Sequence, residues 1–263
     1  VRGFYDRMFR PDRAEFIVTG DISLEEAQRA ISQRFGDWHA PAGPVSTLPV
    51  VANPAARPTT IYLKDKPGAA QSVIAIGAPG PERSDPDYYP IQVMNTLLGG
   101  SFSSRLNSNL REAKGYTYGA GSGFAFRPVA GPFIAQAAVR SNVTDSSLVE
   151  FFNEFNRIRD EPVGAEELSR AKAYLALGLA GDFETTGQVA SQLGGLMTFG
   201  LPVNWYDSYV ERIMAVTAAE VQRVARRLIQ PDQLAVIVVG DVASIQPGIE
   251  KLGLGPVTVL PTP

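Results

Sequence analysis

"PDRAEFIVTGD", residues 11–21, returns as "PDQLAVIVVGD" at residues 231–241, an offset of 220 in a chain of 263 residues. Six of the eleven positions coincide: Pro11, Asp12, Ile17, Val18, Gly20 and Asp21 match Pro231, Asp232, Ile237, Val238, Gly240 and Asp241. Each copy reads as a Pro-Asp turn, an apolar strand and a Gly-Asp exit, where glycine supplies an unusual backbone angle and aspartate caps the next element. The flanks match as well. The helix-like "VRGFYDRMF" before the first copy aligns with "VQRVARRLI" before the second. After Asp21, "ISLEEAQRAISQRFG" sets Leu24, Ala27, Ile31 and Phe35 on one helical stripe, and "VASIQPGIEKLG" comes after Asp241. A period this long marks a duplicated domain rather than a solenoid repeat.

Working outward, the chain divides into three parts. Residues 1–40 read as the C-terminal end of a first homologous domain, with Val1 expected to be a truncation point. Residues 41–58, with prolines at 41, 44, 49, 54 and 58, read as an extended interdomain linker, because proline fixes φ and removes backbone donors. Residues 59–263 form a complete second copy.

Composition narrows the chemistry. A formal charge of −3 and a pI near 5.4 provide no positive field for a nucleic-acid backbone or an anionic membrane. No stretch approaches the roughly 18 apolar residues of a membrane span, so a soluble protein of the bacterial periplasm or cytoplasm is expected. The absence of cysteine removes disulfides, thiol nucleophiles and thiolate metal sites together. One histidine, His39, is present.

Within the second copy, "TIYLKD" (60–65) and "QSVIAIGAP" (71–79) are strand candidates rich in β-branched residues. "DYYPIQVMNTLLGG" (87–100) carries Ile91, Met94, Leu97 and Leu98 at helical spacing and stops at a glycine pair. "SSRLNSNLREAKG" (103–115) predicts a short helix, and "YTYGAGSGFAF" (116–126) with "GPFIAQAAVR" (131–140) predicts a hairpin. Apolar stripes predict helices over 146–160, 165–181, 186–200 and 217–229, the last opened by the capping-box pair Thr217 and Glu220. Strands in two clusters with helices between them predict an α+β fold, one mixed or antiparallel sheet covered by helices.

The patch "NTLLGGSFSSRLNSNLREAKGYTYGAGSGF" carries the chemistry. Arg111 falls in the last turn of a helix, and beyond Gly115 a strand sets Tyr116, Tyr118, Ala120 and Ser122 on one face and Thr117, Gly119, Gly121 and Gly123 on the other. A guanidinium and a phenol across such a corner can converge on one carbonyl oxygen, the first as a charged fork and the second as a neutral donor suited to an oxyanion. The competing reading is a surface salt bridge for Arg111 and half-buried strand tyrosines.

These segments, together with "KPGAAQSVIAIGAP", "EELSRAKAYL" and the terminal "VIVVGD", resemble the second domain of the pitrilysin-type zinc peptidases, the inverzincins that include the mitochondrial processing peptidases. The resemblance spans practically the whole chain. It implies a metallohydrolase-like α/β roll, duplicated and arranged as a clamshell around an extended peptide. It also implies that zinc is held by an H-x-x-E-H helix of the other domain, a motif missing from this chain. With His39 alone in "FGDWHAP", no metal ligand and no cofactor is expected here. Zinc is expected in a partner domain or subunit, in a homo- or heterodimer, and hydrolysis is not expected of this chain by itself.

By motif position the resemblance transfers an arginine and tyrosine pair onto Arg111 and Tyr118. Arg111 would hold a substrate carbonyl and Tyr118 would help stabilise the tetrahedral oxyanion near zinc. Tyr116 is the alternative substrate-binding tyrosine, since strand parity does not choose between it and Tyr118. The other reading of the same fold is a catalytically inactive scaffold or assembly subunit. A serine hydrolase is disfavoured, because "GAGSGF" lacks the G-x-S-x-G spacing.

Overall fold

The computed structural model describes residues 1–40, 43, 45, 55 and 57–261. Most of the proline-rich stretch 41–58 therefore lies outside the described residues. Two compact units are distinguished, Val1–Ala52 with Gly178–Trp205, and Asn53–Leu177 with Tyr206–Pro263.

The larger unit is built on one six-stranded mixed sheet. Its strands are β1 (Thr60–Asp65), β2 (Gln71–Pro79), β3 (Thr117–Phe124), β4 (Pro132–Arg140), β5 (Ala235–Gly240) and β6 (Val257–Leu260), in the order β3-β4-β2-β5-β1-β6. The first four strands match the expected segments closely. β5 is the second copy of the repeated motif and lies between β1, to which it is parallel (Thr60 opposite Ala235), and β2, to which it is antiparallel (Val73 opposite Val239). β6 adds parallel to β1, where the sequence pattern predicts no strand. Its four residues are too few to show a period.

Alternation along the strands sends one side chain in two into a core. Ile61, Leu63, Ile74, Ile76, Phe133, Val139, Val236 and Val238 are fully buried. The helices of this unit that complete the core are α3 (Tyr88–Asn95), α4 (Arg105–Asn107), α5 (Thr144–Asp160), α8 (Tyr209–Ala215), α9 (Ala218–Leu228) and α10 (Val242–Lys251). Phe133 meets Phe155 edge-on at 6.1 Å, tying β4 to α5. Burying such a ring is worth about 2–3 kcal/mol. The stripe predicted over 87–100 is real, with Ile91, Met94, Leu97 and Leu98 all buried. The segment changes character midway, however. α3 ends at Asn95 and Thr96–Gly100 continue as a π-helical turn.

Outside the sheet are α1 (Arg2–Met8), α2 (Leu24–Phe35) and α7 (Thr186–Thr198), which belong to the smaller unit, and α6 (Ala165–Gly181). Three helices open on capping boxes, Ser23 with Glu26, Thr185 with Gln188 and the predicted Thr217 with Glu220. Each box satisfies two backbone donors that a helix start otherwise leaves unpaired.

The two copies of the repeated motif behave differently. Among the described residues Ala14–Thr19 form no strand, although the same pattern predicts one. The second copy has β1 and β2 to receive its backbone groups, whereas the ten residues before Pro11 supply only α1. The exits differ too. Gly20 has the expected positive φ of 143°, but Gly240 does not. Gly240 is needed for close approach, since a Cβ there would lie 2.5 Å from Ser72 Oγ. The capping role given to both aspartates also fails. Asp241 occupies the N-cap of α10 without a side-chain bond to its backbone, and α2 is capped by Ser23. Of the stripe predicted on α2, Ala27 alone is buried, and Leu24 is 73% exposed.

Candidate functional site

The residues singled out from sequence lie in the stretch from Thr96 to Phe124, all within the larger unit. Two π-helical turns frame it, Thr96–Gly100 and Ser108–Ala113, the second continuing from α4. Such turns carry one residue more than an α-turn and recur at functional sites. Arg111 stands in the second turn. Gly115 closes it at φ 63°, a left-handed conformation that glycine adopts without penalty. The Gly115 N–H then donates to Arg111 O at 3.1 Å and the Tyr116 N–H to Leu110 O at 2.8 Å.

The turn is fastened by its polar neighbours. Asn109 Nδ2 donates to Glu150 Oε2 (2.9 Å) and Glu154 Oε1 (2.8 Å) on α5, and Lys114 Nζ lies 3.1 Å from Glu150 Oε1. Burial pushes the Glu150 carboxyl up, but donation from Asn109, Lys114 and Asn153 outweighs it and holds the group below its ordinary value. The same bond raises Lys114. With Asn109 and Lys114 held against α5, Arg111 is left at the surface. Its guanidinium carbon lies 4.5 Å from the centre of the Phe102 ring, and its Nε is 3.4 Å from Glu112 Oε1.

β3 enters the sheet irregularly, and this corrects the parity read from sequence. Thr117 pairs with Val139 and Ala120 with Ala137, so Tyr118 and Gly119 on β3 stand against Ala138 alone on β4, a β-bulge. Tyr118 and Ala120 are thereby uncoupled. Ala120 is buried, together with its partners on β4, whereas Tyr118 is 93% exposed. Tyr116, just before the bulge, is half-buried, and its carbonyl accepts from the Arg140 N–H at 3.3 Å. The bulge is stapled by Thr117 Oγ1, which donates to Ala138 O at 2.7 Å and accepts from the Gly119 N–H at 3.1 Å.

β3 is also an edge strand, and asparagines cover its free side. Asn95 Nδ2 donates to Ser122 O (3.1 Å) and its Oδ1 accepts from Ser122 Oγ (2.9 Å). Asn107 Oδ1 accepts from the Ala120 N–H (3.2 Å), and its Nδ2 donates to Phe102 O (2.7 Å). Gly99 packs so near β3 that a Cβ would overlap Ser122 N and Oγ. This edge is closed to an added strand. Sequence reasoning misses Asn95, Phe102 and Asn107 because single asparagines and phenylalanines carry no spacing signal.

Glu166 and Glu167, neighbours at the start of α6, differ from one another. Glu166 is exposed and pairs with Arg170, but Glu167 takes a two-pronged bond from Arg105 (Nε to Oε1 2.7 Å, Nη2 to Oε2 2.8 Å). Among the described residues no group of three or more His, Cys, Asp and Glu side chains is placed to hold a metal ion. His39 is exposed and belongs to the smaller unit. Zinc, with its need for three or four nitrogen, sulfur or carboxylate ligands, is not fitted by these residues. Among the described residues no helix is long and apolar enough to cross a membrane.

Comparison with known proteins gives a consistent picture. A sequence model described as the peptidase M16 inactive domain matches residues 1–175. An uncharacterized zinc protease of Streptomyces coelicolor is 27% identical over 237 residues, covering 86% of this chain and 50% of that protein. The mitochondrial-processing peptidase subunit beta of Dictyostelium discoideum is 25% identical over 174 residues, 61% of this chain and 36% of that one. The crystal structure of a peptidase M16 inactive domain from Pseudomonas fluorescens superposes with a TM-score of 0.73 at 26% identity, covering 84% of this chain and 52% of that one. A protease from Helicobacter pylori shares the fold, with a TM-score of 0.81 at 18% identity over 90% of this chain and 58% of that one. The chain spans about half the length of the curated relatives it matches.

Proposed function

Since this chain belongs to the peptidase M16 inactive-domain family, we propose that it serves as the metal-free half of a zinc-dependent peptidase. In this reading Arg111 and Tyr118 meet an extended peptide whose cleavage is completed by a zinc-bearing homologous domain or subunit. The observation that carries the reading is that two chemically suited groups reach solvent from successive elements, the Ser108–Ala113 turn and β3. Tyr118 sits at a bulge of β3 that leaves it 93% exposed, and Arg111 lies within Ser108–Ala113, the turn that leads into the strand.

Each group has a defined task. The Arg111 guanidinium offers permanently charged donors in a fixed fork and grips a substrate backbone carbonyl. The Tyr118 hydroxyl is a neutral donor that strengthens its bond as negative charge grows on the attacked carbonyl oxygen. Tyr116 is the secondary substrate contact. A scaffold would need neither an exposed tyrosine on a stapled bulge nor an arginine stacked on an exposed phenylalanine.

The test is reconstitution. The purified chain should contain no stoichiometric zinc and hydrolyse no peptide, and activity should appear on mixing with a subunit carrying H-x-x-E-H. Arg111→Ala and Tyr118→Phe should each lower turnover by about 10 to 1000-fold with assembly intact, the upper part of that range being the cost of one lost oxyanion donor. Full activity in both variants would favour the scaffold.

A further inference from the structure

We propose that Asn107 is the positioning residue of this corner, a side-chain bolt that fixes the Tyr118 bulge relative to the Phe102 turn, on the same helical segment that carries Arg111. The proposal rests on the role given above to Tyr118 and names the group through which that role is set.

Asn107 is 4% exposed and lies four residues before Arg111. Its two amide ends are both used, and by different segments. Oδ1 takes the N–H of Ala120, the first residue paired with β4 beyond the bulge, and Nδ2 donates to the carbonyl of Phe102. The two partners demand the same orientation, since a flipped amide would set donor against donor at Ala120 and acceptor against acceptor at Phe102. The polar atoms nearby are less well served. Ser104 Oγ, Arg105 Nη1 and Asn109 Oδ1 are buried with no hydrogen-bond partner. Asn109 ties the segment to α5 and both bonds of Asn95 go to Ser122, whereas Asn107 joins the residue after the bulge to the Phe102 turn.

The consequence is local. The bulge has Thr117 Oγ1 as a staple at its start and Asn107 at its end. Without Asn107 the Ala120 N–H loses its acceptor, and the residues between the two staples, Tyr118 among them, gain freedom. Phe102, 67% exposed and lying beneath the Arg111 guanidinium, is released from the other end of the same amide. A donor that must meet an oxyanion within a few tenths of an ångström loses efficiency when its backbone wanders.

Three variants separate the two ends. Asn107→Asp keeps the acceptor for Ala120 and turns the bond to Phe102 into a repulsion between two oxygens, Asn107→Ala removes both bonds, and Tyr118→Phe removes the hydroxyl alone. In hydrogen exchange on the full chain, the Ala120 amide should exchange about 10-fold faster or more in Asn107→Ala and stay protected in Asn107→Asp. In the reconstituted peptidase, Asn107→Ala should lower kcat by about 10-fold or more, while Asn107→Asp should raise KM and largely keep kcat. The double variant Asn107→Ala with Tyr118→Phe should be no slower than Tyr118→Phe alone, because a residue acting through Tyr118 has nothing left to position.

Unchanged exchange at Ala120 in Asn107→Ala overturns the proposal, as do multiplying losses in the double variant. If Tyr118→Phe is itself fully active, the reading of Tyr118 falls and the exchange result alone decides whether Asn107 holds the bulge. Circular dichroism and the melting temperature of Asn107→Asp guard against misfolding, since that variant retains the bond to β3.

Discussion

The guanidinium of Arg111 lies over the face of Phe102, 4.5 Å from the ring centre, and both side chains reach solvent. An exposed aromatic beneath an exposed cation orients the fork at little cost, since the stack is worth about 0.5–1 kcal/mol at such sites. Phe102→Ala should therefore raise KM for peptide about 2 to 5-fold in the reconstituted peptidase, with kcat nearly unchanged. Arg111→Lys keeps the charge but loses both the stack and the forked geometry, and should cost about 10-fold or more in kcat/KM. Equal activity of the lysine variant would mean that only the charge matters.

Gly99 lies against Ser122 so closely that a methyl group would overlap its backbone nitrogen and hydroxyl. Neither the strand nor the π-turn can yield easily, because Asn95 ties the same serine by two hydrogen bonds. Gly99→Ala should destabilise the fold by about 1–3 kcal/mol, the usual cost of overpacking. Urea unfolding at unchanged m-value checks it. A wild-type midpoint would show that the contact relaxes without strain.

Elements with long, regular patterns are legible in the sequence. β1 and β2 are bounded to the residue by β-branched runs, and the alternation in β4 is visible in "PFIAQAAVR". Arg111 and Tyr118 stand out because glycine punctuation at 115 and a tyrosine pair are local signals. The bulge does not, because an extra residue in β3 only has meaning against the partner strand. Ala14–Thr19 mislead for the same reason, since an apolar run becomes a strand only where another backbone completes its hydrogen bonds. Asn95, Asn107 and the Arg105–Glu167 bond join residues 13 to 62 positions apart, a distance over which periodicity says nothing.

Thr217 caps α9, whose buried Val221, Val224 and Ala225 face the core. Its hydroxyl accepts from the Glu220 N–H at 3.2 Å, and the Thr217 N–H donates in return to a Glu220 carboxylate oxygen at 2.9 Å. Thr217→Ala should cost about 1 kcal/mol, and Thr217→Ser only a few tenths. Chemical denaturation distinguishes them. Equal losses in both variants would place the effect in the lost methyl group instead of the cap.

Arg105 and Glu167 give the pH dependence a sign. Arg105 is 9% and Glu167 28% exposed at the side chain. The hydrogen bonds from Arg105 hold the Glu167 carboxyl below its ordinary value against the opposing effect of burial. A carboxyl depressed on folding contributes stability above its unfolded value, and that contribution drains away as pH falls through the folded value. Glu167→Gln leaves the buried guanidinium without its counter-charge, so at pH 7 it should destabilise by about 3 kcal/mol. The gap between the variant and the parent should then narrow as pH is lowered from neutrality past the ordinary glutamate range, because the parent's own carboxyl becomes neutral. Denaturation midpoints of both proteins, measured in parallel down the acid limb, test this directly. A gap of constant size across that range would show that Glu167 acts through packing, with its charge contributing nothing.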